Sequence, residues 1–221
     1  MDLPRRTGEI AMYMGLVQGV ARIARAETLP GRIALTLEFP DALTDGLVLG
    51  ASVAIEGVCL SVTGIDGTFI GFDATKGTLE KTNLGTLGRD RVNIERSAKM
   101  GDEIGGHIVA GHVSGTAEIV GIDTTSDEHM WIKFRVPMPW AKYVFVHGFL
   151  AVNGCSLTVA EQDGDVFTVN LIPETIRQTT FGLYRAGDRV NFEVEHQTMV
   201  LVETIERTMT AAAERLFPKL G

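Results

Sequence analysis

Two short blocks of the sequence place nucleophilic side chains where they could meet a ligand. Val58-Cys-Leu-Ser-Val62 carries Cys59 and Ser61 two positions apart, and residues with that spacing share one face of a strand. A thiol and a hydroxyl on one face can serve as a nucleophile and a hydrogen-bonding group. A lone Cys in a strand is often a small core residue instead. The second block, Asn153-Gly-Cys-Ser-Leu-Thr-Val159, carries Ser156 and Thr158, and we assign its Cys155 a structural role.

Two histidines could supply acid–base chemistry. His107 and His112 lie in Gly105-Gly-His-Ile-Val-Ala-Gly-His-Val113, and a neutral imidazole can move a proton near pH 7. If this block is a strand, the five-residue separation puts the two rings on opposite faces, which argues against a shared metal ion. A hydrogen bond within the fold is the alternative role for either ring. The sequence has no His-Glu-x-x-His, Cys-x-x-Cys or P-loop pattern, so we predict neither a metal ion nor a nucleotide cofactor.

The chain contains an internal repeat with a period near 97 residues. Gly15-Leu-Val-Gln-Gly-Val-Ala-Arg-Ile23 matches Gly111-His-Val-Ser-Gly-Thr-Ala-Glu-Ile119, and the identities fall on every second residue, as on a strand with one fixed face. Three more pairs of blocks match in the same order at nearly the same shift: Glu56–Val62 with Asn153–Val159, Thr78–Gly85 with Thr175–Gly182, and Asp90–Glu95 with Asp188–Glu193. Each copy is long enough to form a domain with its own core.

The two copies differ at positions that carry chemistry. The differing pairs are Cys59 and Ser156, Ser61 and Thr158, Leu16 and His112, and Asp73 and Asn170. Two copies of one fold offer two similar pockets, so we predict that two similar small molecules bind in related half-sites and play unlike roles. The Ser and Thr residues near the matched blocks suit a neutral, polyhydroxylated ligand, although β-propensity alone would also place them in strands.

Short β-prone stretches alternate with turn residues along most of the chain, which is typical of a sandwich or a barrel. One long helix is predicted at the C-terminal end, because its apolar residues recur mostly at three- and four-residue steps: Val202, Ile205, Met209, Ala212, Ala213 and Leu216. We divide the chain into a flexible N-terminal extension (1–11), two homologous domains (12–106 and 107–197) and a C-terminal helix (198–217).

Composition excludes several classes of partner. The 221 residues include 20 Lys and Arg against 28 Asp and Glu, a net charge of −8, and this argues against nucleic acid or an anionic membrane surface. No apolar run reaches the roughly 18 residues that would span a bilayer. Two cysteines cannot form a disulfide scaffold, so we expect a cytoplasmic protein.

Three blocks resemble the signature blocks of the riboflavin synthase alpha chain family. They are Gly105–Val113, Asn153–Val159 and Ile172–Gly182, and the similarity extends from about Met12 to Arg207, duplication included. The resemblance implies an all-β fold of two homologous six-stranded Greek-key barrels in tandem, followed by a C-terminal α-helix that assembles a homotrimer. Its active sites would lie between the first barrel of one subunit and the second barrel of a neighbour.

The reaction implied by this resemblance is the last step of riboflavin biosynthesis. Without a cofactor or metal, two molecules of 6,7-dimethyl-8-ribityllumazine would dismutate to riboflavin and 5-amino-6-ribitylaminouracil, by transfer of a four-carbon unit. His112 and a hydroxyl neighbour would help to remove a proton from the C7 methyl group of one lumazine, with ring-edge donors stabilising the anion, and Cys59 would act near the other ring.

The same resemblance implies the site residues. Those with catalytic roles are Ser52, Cys59, His112 and Ser156. Ser52, Cys59 and Ser61 belong to the first-barrel pocket, and Ser156 and Thr158 to the second. The substrate would also contact Tyr13, Gly15, Leu16, Val17, Leu60, Asp73, Ala74, Thr75, Lys76, Gly77, Thr78, Gly111, Val113, His147, Leu157, Asn170, Leu171, Ile172, Pro173, Glu174, Thr175 and Glu195.

Three features depart from the family pattern. Met12-Tyr-Met-Gly15 stands where the family usually has Met-Phe-Thr/Ser-Gly, His147 where many members have Lys, and Glu195 where many have Asp. A non-catalytic protein like the lumazine-binding fluorescent relatives is the alternative function, but those relatives resemble the chain less at the catalytic blocks, where Cys59 and His112 are both retained. A Cys–His hydrolase is supported only by the presence of both residue types.

Overall fold

The computed structural model describes residues 11–126 and 129–216 and consists mainly of β-strands. The predicted N-terminal extension lies outside this range except for Ala11, and so does Phe217 at the end of the predicted helix. Among the described residues, no helix combines the length and apolar character needed to cross a membrane.

Six strands of the first half close into a barrel. They are β1 (Gly19–Leu29), β2 (Arg32–Glu38), β3 (Ser52–Ile55), β4 (Val58–Asp66), β5 (Phe69–Thr75) and β6 (Arg91–Arg96). Their order in the sheet is β1-β2-β5-β4-β3-β6, and β6 pairs back onto β1. All neighbours are antiparallel, and β2 is joined in sequence to β3 but paired with β5, which is the Greek-key arrangement.

The second half repeats this strand order in a curled seven-stranded sheet that is not closed, because one strand is broken. Its strands are β7 (Gly115–Ser126), β8 (His129–Arg135), β9 (Phe149–Val152), β10 (Cys155–Thr158), β11 (Glu161–Asp163), β12 (Val166–Leu171) and β13 (Arg189–Val194), in the order β10-β9-β13-β7-β8-β12-β11. Only Val159 and Ala160 separate the two edge strands β10 and β11, which together match β4. The equivalent position of β4 carries an irregularity in register between Val62 and Gly64. The expected fold of two tandem Greek-key barrels is therefore confirmed.

Alternation of side chains along the strands explains why the two cores form where they do. In β4, Val58, Leu60 and Val62 are buried in the first core, whereas Cys59 and Ser61 face away from it. In β8 every second residue is buried in the second core. Period-two burial of this kind is what a strand with one covered face requires.

The described residues also form four α-helices: α1 (Lys76–Lys81), α2 (Met138–Ala141), α3 (Pro173–Gln178) and α4 (His196–Leu216). The two short helices α1 and α3 follow the equivalent strands β5 and β12, so they belong to the repeat. The long helix α4 overlaps the helix that the sequence predicts at 198–217, and no described residue of α4 is buried.

Equivalent two-residue turns bring the two barrels into contact. Glu56-Gly57 joins β3 to β4, Asn153-Gly154 joins β9 to β10, and all four residues have positive φ, as a type I′ hairpin turn requires. A Cβ atom on Gly57 would lie 2.6 Å from the backbone nitrogen of Gly154. Only glycine allows the two turns to approach this closely.

Asparagine side chains link the barrels in a nearly twofold-symmetric way. The amide of Asn93 donates to the backbone carbonyl of Asn153 at 3.0 Å, and the amide of Asn191 donates to that of Glu56 at 2.9 Å. Asn93 and Asn191 are equivalent residues of the repeat, and both are buried. The barrels are therefore joined by paired hydrogen bonds between polar groups that burial would otherwise penalise.

Glu56 breaks the symmetry of this interface, because Asn153 takes its place in the second half. One carboxylate oxygen of Glu56 accepts from the Asn93 backbone N–H at 2.6 Å, and the other accepts from the Tyr184 hydroxyl at 2.9 Å. Complete burial raises the pKa of Glu56 to about 7, although these donors lower it. Glu56 is thus a buried carboxyl group of this interface whose pKa is raised toward neutral pH.

Candidate active site

Each barrel is contacted by a segment that precedes the first strand of the other barrel. The carbonyl of Gly15, ahead of β1, accepts a hydrogen bond from the Ser156 N–H of β10 at 2.8 Å. The carbonyl of Gly111, ahead of β7, accepts from the Cys59 N–H of β4 at 3.0 Å. Val17 packs against the second core and Val113 against the first. The chain therefore brings residues 111–113 to Cys59 and residues 15–17 to Ser156.

Two glycines make this exchange possible. A Cβ atom on Gly111 would lie 2.6 Å from Cβ of Cys59, and one on Gly15 would lie 2.6 Å from Cβ of Ser156. Both glycines also have positive φ, at 74° and 68°. A side chain at either position would be strained and would collide with the residue that carries the polar group.

Two buried carboxylates hold the exchanged segments. Glu95 on β6 accepts from the Met14 N–H at 2.7 Å, and Glu193 on β13 accepts from the Ala110 N–H at 2.8 Å. Burial raises the pKa of Glu95 to about 7 and raises that of Glu193, against the lowering effect of the backbone N–H groups. Met14, which lacks the hydroxyl of the usual family residue, is anchored here through its backbone.

At the first barrel, the structure brings Ser52, Cys59 and Ser61 to one surface. Ser52 and Ser61 are directly opposite each other in the β3–β4 ladder, and Cys59 and Ser61 face away from the core. Cys59 is a half-buried free thiol that accepts a hydrogen bond from the Tyr13 hydroxyl at 3.1 Å. His112 is exposed and directly follows Gly111, so it lies at the edge of the Cys59 surface.

The predicted contact stretch of the first barrel lies at the end of β5 and the start of α1. Asp73 forms an ion pair with Arg32 at 3.4 Å, and the Thr75 and Thr78 hydroxyls are 3.1 Å apart. Lys76 and Gly77 are exposed. Two other predicted contacts, Leu60 and Ala74, have their side chains in the barrel core, so only their backbones could contact a ligand.

At the second barrel, Ser156 is paired with a histidine. The Ser156 hydroxyl lies 2.6 Å from Nδ1 of His107, whose ring stacks on Phe149 with centroids 5.6 Å apart. Burial lowers the pKa of His107, although the charge of Glu195 opposes this effect. Burial thus favours the neutral form of the ring, which forms a hydrogen bond with the Ser156 hydroxyl. His107 is absent from the set of site residues that the sequence predicts.

The remaining predicted residues of the second barrel are more dispersed. Thr158 is exposed on β10; Asn170, Ile172, Pro173 and Glu174 are exposed around the end of β12 and the start of α3, and Thr175 is half-buried there. Leu16 is exposed near β10, whereas Leu157 and Leu171 belong to the core. In this stretch, Glu174 pairs with Arg177 of the same helix.

His147 and Glu195, the two predicted site residues that replace Lys and Asp of the family pattern, do not contact each other as an ion pair in the described part of the chain. His147 is exposed, has a φ of 66° and donates its N–H to the Val159 carbonyl. Glu195 instead caps α4, accepting hydrogen bonds from the Gln197 N–H and from the N–H and hydroxyl of Thr198.

The segment that carries His107 and His112 is not a strand, so the expected strand geometry is wrong there. Only Val109 is bridged, through reciprocal backbone hydrogen bonds of 2.8 and 2.9 Å with Tyr13. The two histidines are nevertheless separated, since His107 contacts Ser156 of the second barrel and His112 lies beside Cys59 of the first. In residues 11–126 and 129–216, no group of three or more His, Cys, Asp or Glu side chains could hold a metal ion.

Comparison with known proteins agrees with this architecture. The model of the lumazine binding domain matches the chain twice, at residues 14–97 and 110–195. Solved structures of LumP complexed with riboflavin and with 6,7-dimethyl-8-(1'-D-ribityl) lumazine superpose with TM-scores of 0.77 and 0.75. They share 22% and 21% sequence identity with the chain, and each covers 82% of it and 98% of its own length. The fold and the paired sites thus define a protein of the tandem lumazine-binding class.

Sequence relatives narrow this class. Riboflavin synthase of Escherichia coli K12 is 45% identical over 202 residues, covering 90% of this chain and 94% of the relative. Riboflavin synthase of Chlamydia pneumoniae is 39% identical over 204 residues, covering 92% of this chain and all of the relative. The chain belongs to the riboflavin synthase family, and the resemblance in the signature blocks is confirmed.

Proposed function

We propose that the protein is a riboflavin synthase, which converts two molecules of 6,7-dimethyl-8-ribityllumazine to riboflavin and 5-amino-6-ribitylaminouracil. The observation that carries this proposal is the pair of equivalent surfaces with unlike polar groups. Each is built from an outward-facing strand residue and a segment contributed by the other half of the chain. At the first, the Cys59 sulfur accepts a hydrogen bond from the buried Tyr13 hydroxyl, and at the second, the Ser156 hydroxyl lies 2.6 Å from Nδ1 of His107.

Two identical substrates with different fates require this kind of site. One lumazine loses a proton from its C7 methyl group and becomes a carbon nucleophile, whereas the other is attacked as an electrophile. A four-carbon unit then passes between them, leaving riboflavin and the diaminopyrimidine. Related pockets bind the same ring system, and their different polar groups distinguish the donor from the acceptor.

His112 is the residue we propose as the base for the C7 methyl proton. It is exposed beside Cys59, where a second ligand held by a neighbouring subunit could approach. Histidine can accept a proton near neutral pH, and a positioned base of this kind contributes about 10²–10⁴-fold to a rate. Cys59 and Ser156 act on the ring systems bound at their respective barrels.

The ribityl chains account for the hydroxyl residues of the two sites. Ser52 and Ser61 lie together on the first barrel, and the Thr75 and Thr78 hydroxyls lie close to each other at the next strand end. A polyhydroxylated chain can both donate to and accept from such groups. The second barrel offers Thr158 and the end of β12 for the same purpose.

We further propose that the enzyme is a homotrimer in which the first barrel of one subunit faces the second barrel of a neighbour. Met199 and Val202 of α4 pack on the second barrel, whereas Leu201, Ile205 and Met209 are exposed at four-residue steps. This spacing produces an apolar stripe along one face of the helix, which a second subunit would cover. The domain division at 12–106 and 107–197 and a cytoplasmic location complete the proposal.

Incubation of the protein with 6,7-dimethyl-8-ribityllumazine alone tests the function. Appearance of riboflavin absorbance and fluorescence over many turnovers, without an added cofactor, is the expected result. Tight binding of the lumazine with no riboflavin formed would instead support the non-catalytic, chromophore-binding alternative. Absence of both binding and turnover would contradict both functions.

A further inference from the structure

Tyr13 is buried at the junction between the barrels. Its side chain is fully inaccessible to solvent and packs with Ala54, Val109 and Ala151. Its backbone is fixed by the two hydrogen bonds with Val109. The hydroxyl has one hydrogen-bond partner among the described residues, the Cys59 sulfur at 3.1 Å. Burial of a hydroxyl group without a hydrogen-bond partner costs free energy. The contact with Tyr13 therefore favours one position of the Cys59 sulfur.

The direction of this hydrogen bond is fixed by the surroundings of Tyr13. Burial, the contact with Cys59 and the nearby carboxylates of Glu95 and Glu193 all raise the pKa of Tyr13. The phenol therefore keeps its proton near neutral pH and donates it to the sulfur. The sulfur is held as the acceptor of this hydrogen bond.

The second barrel has a different partner at the equivalent place. Ser156 aligns with Cys59 in the repeat, but its hydroxyl lies 2.6 Å from Nδ1 of the His107 imidazole. One half-site thus pairs its strand residue with a phenol, and the other pairs it with an imidazole. Tyr13 is the residue that creates this contrast at the first barrel, and the usual family residue at this position, Phe, has no hydroxyl.

We propose that Tyr13 is a positioning residue for Cys59, whose donated hydrogen bond holds the sulfur in the place from which it serves the first-barrel half of the reaction. The catalytic part of this inference rests on the proposed function. The effect on the thiol itself does not, because it follows from the contact between Tyr13 and Cys59 alone.

Alkylation of Cys59 by iodoacetamide measures the effect directly. The rate at the Cys59 peptide is followed by mass spectrometry from pH 6 to pH 10 in the wild type and in Tyr13→Phe. Cys155 does not compete, because burial raises its pKa to about 12. Loss of this hydrogen bond should displace the alkylation profile of Tyr13→Phe from that of the wild type and slow the reaction about tenfold at pH 7, because the sulfur is no longer held in one position.

Neighbouring titrating groups are controlled by the design. Glu95 on β6, Glu193 on β13 and His112 beyond Gly111 are present in both proteins, so the difference between the two profiles isolates the phenol hydroxyl. Tyr143→Phe removes a hydroxyl that donates to Glu203 on α4, away from the thiol, and its profile should superpose on that of the wild type. Equal circular dichroism spectra establish that each variant is folded.

The outcomes separate the inference from the proposed function. Superposed alkylation profiles for the wild type and Tyr13→Phe would overturn the role of Tyr13, even if riboflavin is formed. A shifted profile supports it, even if the wild type makes no riboflavin. Where riboflavin is formed, Tyr13→Phe should lower kcat several-fold with little change in KM, since the hydroxyl contacts the sulfur and not the substrate.

Discussion

Replacement of Gly111 by Ala tests the close contact on which the first-barrel site is built. Gly111 has a φ of 74°, a conformation that costs an Ala about 1–2 kcal/mol. The new Cβ would lie 2.6 Å from Cβ of Cys59 and 3.0 Å from both the Cys59 nitrogen and Cε2 of Tyr13. Relief of such overpacking adds about 1–3 kcal/mol, so we expect the free energy of unfolding to fall by about 2–5 kcal/mol.

Gly31→Ala is the matched control for this substitution. Gly31, in the turn between β1 and β2, has a φ of 79° and no atom within 4 Å of a new Cβ, so it should lose only the conformational share. Urea denaturation of the two variants should therefore differ by about 1–3 kcal/mol, and Gly111→Ala should also lose more riboflavin-forming activity. Equal losses of stability in the two variants would refute the packing argument.

Three further substitutions test other parts of the structure. Glu56 has a pKa of about 7, above its ordinary 4.5, so its stabilising contribution of about 3 kcal/mol is present below pH 4.5 and is lost as the pH rises through 7. Between pH 5 and 8, the free energy of unfolding should fall less steeply in Glu56→Gln than in the wild type. The exposed control Glu161→Gln should show the wild-type slope. A wild-type slope in Glu56→Gln would contradict the raised pKa of Glu56. His112→Ala should lower kcat by about 10²–10⁴-fold with an unchanged melting temperature, and a fully active variant would exclude His112 as the base. Ile205→Glu should dissociate the oligomer in sedimentation without unfolding the barrels, and an unchanged molecular mass would show that this face of α4 is not the interface.

The repeat and the alternating β-prone stretches predicted two all-β domains, a sandwich or barrel in each copy, whereas the six-stranded Greek-key arrangement was implied by the family resemblance. Cys59 and Ser61 are where the alternation of side chains along a strand places them, facing away from the core. The alternation of side chains predicts the end of a strand less well than its two faces. The break at Val159 and Ala160 divides one strand of the second barrel, although no glycine or proline marks it.

The exchange of segments between the barrels could not be predicted from the repeat. The matching of Gly15 with Gly111 indicates a shared backbone requirement but not which barrel each segment contacts, since that depends on tertiary packing. For the same reason His107 was missed as the partner of Ser156. The position of His107 in a signature block indicates a functional role. It does not indicate the contact with Ser156, which lies 49 residues further along the chain.

The stoichiometry of the reaction tests the central claim of two like ligands in unlike half-sites most directly. Purified protein is given 6,7-dimethyl-8-ribityllumazine as the sole substrate, and the lumazine, riboflavin and 5-amino-6-ribitylaminouracil are quantified by chromatography as the reaction proceeds. Two lumazines should disappear for each riboflavin and each pyrimidine that form. Conversion of one lumazine to one product, or binding without consumption, would contradict the account.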